Sequence, residues 1–313
     1  MKILGLYDGM SCGYLALQKA GIPIDRYVAY EVEPTAIQTS QRNFPMIEQN
    51  GNVFGADFTQ YKGFDAVIGG SPCTYWSIAQ KNDRETEASG VGWELFCQFV
   101  RAINEAKPKW FIYENNKSMS PAIRDSITRA FGFEPHCINS ALVSAQRRWR
   151  LYWVGLRNED GTYSRVSVAL PEDKKIYLEN ILEPCDFATY SGGAFVREKP
   201  DLAENHDDTW RIGVTGKSGG QAVRVYDLKG KSVTLQSQAG GGGAKTGLYL
   251  VNGEVKSLSK TGCMKLQTIP EWYEFPVSDQ KAITLIGNGW TVDVIVHLMN
   301  AVKEVLTNET ECD

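Results

Sequence analysis

Short apolar runs alternate with amphipathic stretches through the first 170 residues, and the runs have strand lengths rather than helix lengths. Residues 2–7 read as a strand, 14–20 as a helix closed by Gly21, 26–30 as a strand and 34–43 as a helix. The alternation continues with a buried strand at 64–70, a helix at 94–106, a strand at 110–113, a helix at 121–131 and a strand at 150–155. Such alternation predicts an α/β fold, a mostly parallel sheet with helices on both faces. Ligands of such sheets sit at the carboxyl ends of the strands.

The pattern changes near residue 170. From there to 276 the chain is rich in turns, including Ser191-Gly192-Gly193, Lys217-Ser218-Gly219-Gly220 and a four-glycine run at 240–243, separated by strand-like pieces at 221–228 and 247–251. The helical period returns over 292–306. Three segments are therefore expected: a large α/β domain at 1–169, a smaller loop- and β-rich domain at 170–276, and a C-terminal segment at 277–313 that returns to the first.

Composition narrows the class. A chain of 313 residues, 42% hydrophobic and 22% charged, is neither disordered nor a disulfide scaffold. Its net charge of −4 gives no overall basic field of the kind that marks many nucleic-acid binders. Between Arg197 and Lys265, however, eleven Lys/Arg stand against seven Asp/Glu. No unbroken apolar run reaches the roughly 18 residues of a membrane span, and the N-terminus is too short for a signal peptide. A cytoplasmic protein without membrane contact is expected. Seven scattered cysteines and three histidines form no metal-ligand cluster, so no metal is expected. Buried structural thiols are expected at Cys12, Cys97, Cys137, Cys185, Cys263 and Cys312, with Cys73 set apart.

Four stretches at predicted strand ends carry chemistry. Tyr7-Asp8-Gly9-Met10-Ser11-Cys12-Gly13 joins the first strand to the first helix, where glycines let backbone approach a ligand and a helix start offers N–H groups. Glu31 ends the second strand, a common place for holding ribose hydroxyls, and Asp57 could accept from an exocyclic amine. Together these suit an adenosine-type cofactor, although the glycine turn alone also fits an ordinary tight turn. Gly69-Gly70-Ser71-Pro72-Cys73 stiffens a turn directly before a thiol. Glu114, in Glu114-Asn115-Asn116, follows a buried strand and could hold or donate a proton; a turn or cap role is the plainer alternative. Gln146-Arg147-Arg148-Trp149-Arg150 could bring guanidinium groups to an anion, or could lie in a solvated loop.

In this order the stretches resemble the cytosine C5 DNA methyltransferases. Gly70-Ser71-Pro72-Cys73 is similar to the family's Pro-Cys loop, Glu114-Asn115-Asn116 to its Glu-Asn-Val, and 146–150 to its Gln-x-Arg-x-Arg, which picks out Arg148 and Arg150. Leu266-Gln267-Thr268-Ile269-Pro270 resembles Leu-Gln-x-Phe-Pro, and Gly287-Asn288-Gly289-Trp290-Thr291-Val292 resembles the Gly-Asn-Ser-Val segment. The opening motif looks closest to the branch of the animal de novo enzymes and their phage and bacterial relatives. Departures are Asn116 for valine, Gly289-Trp290 for Ser-Val, Gly262 for glutamate and Lys265 for arginine.

The resemblance implies a Rossmann-like, S-adenosylmethionine-dependent methyltransferase with a target-recognition domain at 170–276. Cys73 would add to C6 of a flipped-out cytosine, Glu114 would handle the N3 proton, and Arg150 with Arg148 would position the base. Tyr7, Asp8, Gly9, Glu31, Val32, Asp57, Phe58, Pro72, Leu95 and Asn288 would bind S-adenosyl-L-methionine. The loop at 74–92 would close over the base. The implied partner is double-stranded DNA, bound by a monomer or weak oligomer. A tRNA cytosine methyltransferase built from the same parts, or a non-catalytic DNA-binding homologue, are the alternatives. A restriction-modification or phage orphan setting fits the resemblance.

Overall fold

The computed structural model describes all residues except 80–82, 199–204, 207, 217–219, 238–242 and 311–313; of 205, 206 and 308–310 only the backbone is described. The turn at 217–219, the glycine run except Gly243, part of the loop at 74–92 and Cys312 thus lie outside the described residues. The chain divides into two compact units, one of residues 1–138, 149–170 and 295–313, the other of 139–148 and 171–294. Set beside the expected segments, 139–148 and 277–294 fall in the second unit.

The first unit is built on an eight-stranded sheet among the described residues: β1 (Lys2–Leu6), β2 (Arg26–Tyr30), β3 (Glu48–Gln49), β4 (Ala66–Gly69), β5 (Trp110–Asn116), β6 (His136–Asn139), β7 (Trp149–Arg157) and β8 (Tyr163–Arg165), in the order β3-β2-β1-β4-β5-β7-β6 with β8 on β7. β1 runs parallel to β2 and β4, and β4 parallel to β5. β7 runs antiparallel to β5. The mostly parallel sheet expected from the sequence is present, with this reversal added.

Helices α1 (Cys12–Lys19), α2 (Pro34–Asn43), α3 (Gly90–Ala106) and α4 (Pro121–Phe131) follow β1, β2, β4 and β5. The ends of α2 and α4 are written in the sequence. Glu33 caps α2 by accepting from Ala36 N at 2.6 Å, and Pro34 presets the first turn. Ser120 does the same for α4 from Ile123 N at 3.3 Å, and Gly132 closes it in a left-handed conformation. α3 buries Phe96, Phe99, Ala102, Ile103 and Ala106, a helical spacing. These pack with Phe111, Tyr113, Phe131, Trp153 and Trp76 into the aromatic core beneath the carboxyl edge of β4 and β5.

The second unit holds a seven-stranded sheet among the described residues, made of β9 (Phe187–Thr189), β10 (Phe195–Arg197), β11 (Asn205–His206), β12 (Thr209–Thr215), β13 (Arg224–Tyr226), β14 (Leu248–Val251) and β15 (Glu254–Leu258). Three further helices are α5 (Leu178–Ile181), α6 (Lys260–Leu266) and α7 (Asp279–Asn288); α8 (Val292–Thr310) begins here and continues in the first unit. By length and composition alone, the stretch Asp279–Thr307 is apolar enough to cross a bilayer, although polar residues interrupt it and no unbroken apolar run of that length occurs. It is two helices broken at Gly289–Thr291, and more than half of its most apolar window is buried in the protein, as core helices are.

Candidate active site

β4 ends at Gly69, and the chain then turns through Gly70, Ser71 and Pro72 into a short helical turn at Cys73–Tyr75. Gly70 permits a close approach: a Cβ there would lie 2.6 Å from the Glu114 carbonyl and 2.9 Å from Glu114 Oε2. The carboxylate of β5 is thus pressed against the residue three before Cys73. Glu114 and Arg150 are diagonal neighbours on one face of the β5–β7 ladder, since Glu114 pairs with Tyr152 and Arg150 with Asn116. Arg150 Nε stands 3.0 Å from Glu114 Oε1, both side chains only 13% exposed. A half-buried thiol, a carboxylate and a guanidinium therefore share one sheet edge.

The turn is braced from below. Ser71 and Tyr113 hydroxyls lie 2.7 Å apart, and Asn115 Nδ2 donates to the Ser71 carbonyl at 3.1 Å. All three side chains are buried. Asn115 was not expected as a site residue; its signal was its place directly after the carboxylate, on the strand's other face.

A second turn lies at the end of β1. Tyr7, Gly9 and Ser11 all have left-handed backbone, with φ of 56°, 57° and 62°. The carboxylate of Glu31 accepts from Gly9 N at 2.7 Å, Val32 N at 2.7 Å and Glu33 N at 2.9 Å. Asp8 accepts from Tyr27 Oη at 2.5 Å and from Ser11 Oγ. Burial pushes the Asp8 carboxyl up to about 6, against the downward pull of those two hydroxyls. Tyr7 Oη donates to the Leu95 carbonyl at 2.6 Å, tying this turn to α3. Val32 and Pro72 are exposed. Asp57 is exposed and takes both Thr59 N and Thr59 Oγ1 on Oδ1, which holds its carboxyl below the usual range.

Three expectations change. Phe58 has no exposed surface: its ring packs edge-on to Tyr30 and lies under Arg101, 4.5 Å from that guanidinium. It supports the site rather than lining it. Arg148 is 3% exposed and belongs to the second unit, where it donates to the carbonyls of Leu235, Gly287 and Gly289 at 3.0–3.1 Å. A buried guanidinium needs such acceptors, so Arg148 holds a turn and does not join Arg150. Cys97 and Cys185 are exposed rather than buried, and Cys137 is half-buried. Exposure therefore does not single out Cys73; its place on the sheet edge does. Asn288 is exposed at the end of α7 in the second unit. Among the described residues no group of His, Cys, Asp and Glu could hold a metal.

The thiol, the carboxylate and the turn after β1 lie at one edge of a mostly parallel sheet, the arrangement of an α/β enzyme that takes its ligand at the strand ends. A family model described as C-5 cytosine-specific DNA methylase matches residues 1–304, and the chain belongs to that family. It is a DNA (cytosine-5-)-methyltransferase, and the family implies S-adenosylmethionine as methyl donor. Type II methyltransferase M.HhaI of Haemophilus parahaemolyticus is 24% identical over 311 residues, covering 95% of this chain and 93% of its own. Orphan methyltransferase M.SPRI of Bacillus phage SPR is 25% identical over 227 residues, 66% of this chain and 51% of its own. In fold the chain is similar to S. pombe Dnmt2 methyltransferase, with a TM-score of 0.67 at 13% identity over 98% of this chain and 99% of that one.

Proposed function

We propose that the chain methylates C5 of a cytosine swung out of duplex DNA, through a covalent bond between Cys73 Sγ and C6. The observation that carries this reading is the Glu114–Arg150 pair packed against Gly70, three residues before the thiol. A ring carbon cannot be reached inside the stack, so the base leaves it at a cost of about a few kcal/mol.

The Cys73 thiolate adds to C6, and the C5–C6 π pair moves into the ring toward N3. Glu114 meets the N3 and amino edge and supplies the proton that offsets this charge. Arg150, fixed by its ion pair, orients Glu114 and the base. The electron-rich C5 then becomes the nucleophile. Loss of the C5 proton afterwards returns the electron pair, expels Cys73 and restores aromaticity.

When bound, S-adenosylmethionine supplies an electrophilic methyl group on a sulfonium. The residues present fit it. A Cβ on Gly9 would meet nothing within 4 Å, so open space faces that turn. Three backbone N–H groups orient Glu31, leaving acceptor capacity for ribose hydroxyls. Asp57, with Oδ1 taken by Thr59, would accept from the adenine amine on Oδ2, and exposed Val32 and Pro72 offer apolar surface. Asp8, Tyr7 and Leu95 shape the turn, and Asn288 is assigned to the donor through the resemblance of its motif.

Duplex DNA carrying 5-fluorocytosine tests the reaction, because fluorine at C5 blocks the final proton loss and traps the adduct. The wild-type chain with donor should gain the mass of the oligonucleotide. Cys73→Ala should give neither adduct nor methyl transfer while still binding donor; turnover by this variant would remove the nucleophile. Glu114→Gln should slow methylation by about 10²–10⁴, and a normal rate would reassign that carboxylate. Bisulfite sequencing of DNA from expressing cells supplies the target site for these duplexes.

A further inference from the structure

The loop after Cys73 is fastened in a way the reaction alone does not require. Trp76, three residues on, has no exposed surface, and its Nε1 donates to Glu85 Oε2 at 2.9 Å. Glu85 Oε1 accepts from Gly92 N at 3.1 Å, and Glu85 N donates to the Tyr75 carbonyl at 2.9 Å. Gly92 lies in the first turn of α3, whose cap position, Ser89, makes no side-chain bond. Glu85 thus does the capping from outside the helix, where a carboxylate is also favoured by the helix dipole. The fit leaves no slack: a Cβ on Gly92 would lie 2.6 Å from both Glu85 Oε2 and Trp76 Nε1.

A second fastening runs to β5. Arg84 donates to the Trp76 carbonyl at 3.1 Å and to the Ser118 carbonyl at 2.6 Å. Ser118 Oγ donates to Asn116 Oδ1 at 2.7 Å, and Asn116 Nδ2 reaches Asn115 Oδ1 at 3.1 Å and the Cys73 carbonyl at 3.5 Å. Asn116 stands where the resemblance expects valine. Here its amide joins the strand that carries Glu114 to the turn that carries Cys73.

We propose that Glu85 is a positioning residue for the nucleophile, holding Trp76 to the start of α3 so that the Cys73 turn keeps one geometry, with Arg84, Ser118 and Asn116 fixing that turn to β5. This rests on Cys73 being the nucleophile. A carboxylate suits the place because it accepts on both oxygens, from Trp76 and from Gly92. Glutamine offers one acceptor and turns an NH₂ toward the other donor.

The test is a double-mutant cycle read by the rate of adduct formation on the fluorocytosine duplex at saturating donor. Glu85→Gln should form adduct about tenfold more slowly, with donor affinity within about twofold of wild type. In a Trp76→Phe background, where the indole N–H is gone, the same change should cost at most about threefold. A wild-type rate for Glu85→Gln, or an equal loss in both backgrounds, would overturn the proposal. Should Glu85→Gln fail to fold, Trp76→Phe alone decides: a slower adduct supports the clasp and an unchanged rate refutes it. If the wild-type chain forms no adduct at all, the nucleophile assignment is what fails.

Discussion

Asp8 shows how much a single side chain can be asked to do at the end of a strand. Its carboxyl sits between the Tyr27 and Ser11 hydroxyls, and Ser11 Oγ in turn lies 2.6 Å from Ser40 Oγ on α2. These contacts hold a turn in which Tyr7, Gly9 and Ser11 all have positive φ. Burial raises the Asp8 carboxyl to about 6, and the charge of Glu31 adds to the rise. The folded state therefore holds a proton that the unfolded chain has already lost between about pH 4 and pH 6. Stability from this group is complete at low pH and declines as pH rises through that window, by on the order of 2 kcal/mol once partial solvent screening is allowed for. Asp57, Asp65 and Asp186, held low by their partners, act in the opposite direction. Asp8→Asn isolates the one contribution: relative to wild type, the variant should gain in melting temperature between pH 4 and pH 8. A constant difference across that range would show that Asp8 is not protonated in the folded protein.

The second unit is organised by buried polar contacts around the turn between α7 and α8. Gln267 donates to the carbonyls of Ile286 and Gly289 at 2.9 and 3.0 Å and accepts from Thr291 Oγ1 at 2.6 Å. Gln146 donates to Gln267 Oε1 at 3.1 Å and accepts from Leu235 N at 3.0 Å. Arg148 completes the ring through Leu235, Gly287 and Gly289. Arg148→Met should cost about 3 kcal/mol, since it strands buried carbonyls, and amide exchange over 286–292 should speed up; unchanged protection there would deny the turn-holding role. In the first unit the sequence made β1, β2, β4, β5 and β7 legible because each holds an apolar run, whereas β3 is the polar pair Glu48–Gln49 and β6 and β8 are only four and three residues long. In the second unit the pieces read at 221–228 and 247–251 contain β13 and β14, whereas β9 and β10, three residues long and paired with distant segments, left no such run. The site divides in the same way. Cys73, Glu114 and Arg150 could be placed near one sheet edge because Cys73 follows β4, Glu114 is third from the end of β5 and Arg150 is the second residue of β7. Arg148 could not, because β7 begins at Trp149 and so the period that would put Arg148 and Arg150 on one face is broken. The Glu85 clasp leaves no periodic trace, being made inside a loop by residues of unlike type.

An acidic chain that acts on a polyanion must concentrate its available cations, and the positive balance of 197–265 makes that stretch the one to test. Of the eleven basic residues from 197 to 265, Lys231 is 1% exposed, its ammonium spent on the carbonyls of Ala141 and Ile176. Arg211 is paired with Glu198, both largely buried, and Lys265 is held at 2.7 Å by Asp186, itself 1% exposed. The pairs of Lys256 with Glu254 and Lys260 with Asp279 have acidic partners about three-quarters exposed, so a phosphate can displace them at little cost. Among the described residues Arg197, Lys229 and Lys245 carry charge outside any ion pair. With roughly four to six cations able to meet phosphates, the logarithm of duplex affinity should fall against the logarithm of salt concentration with a slope of about −4 to −5. Fluorescence anisotropy of a labelled duplex across a salt series measures it. Two substitutions separate free cations from committed ones: Lys229→Ala should make the slope shallower by about one, whereas Lys231→Ala should leave it unchanged and lower the melting temperature instead. A slope near zero, or the same slope change for both variants, would mean that the positive balance of this unit is not what meets DNA.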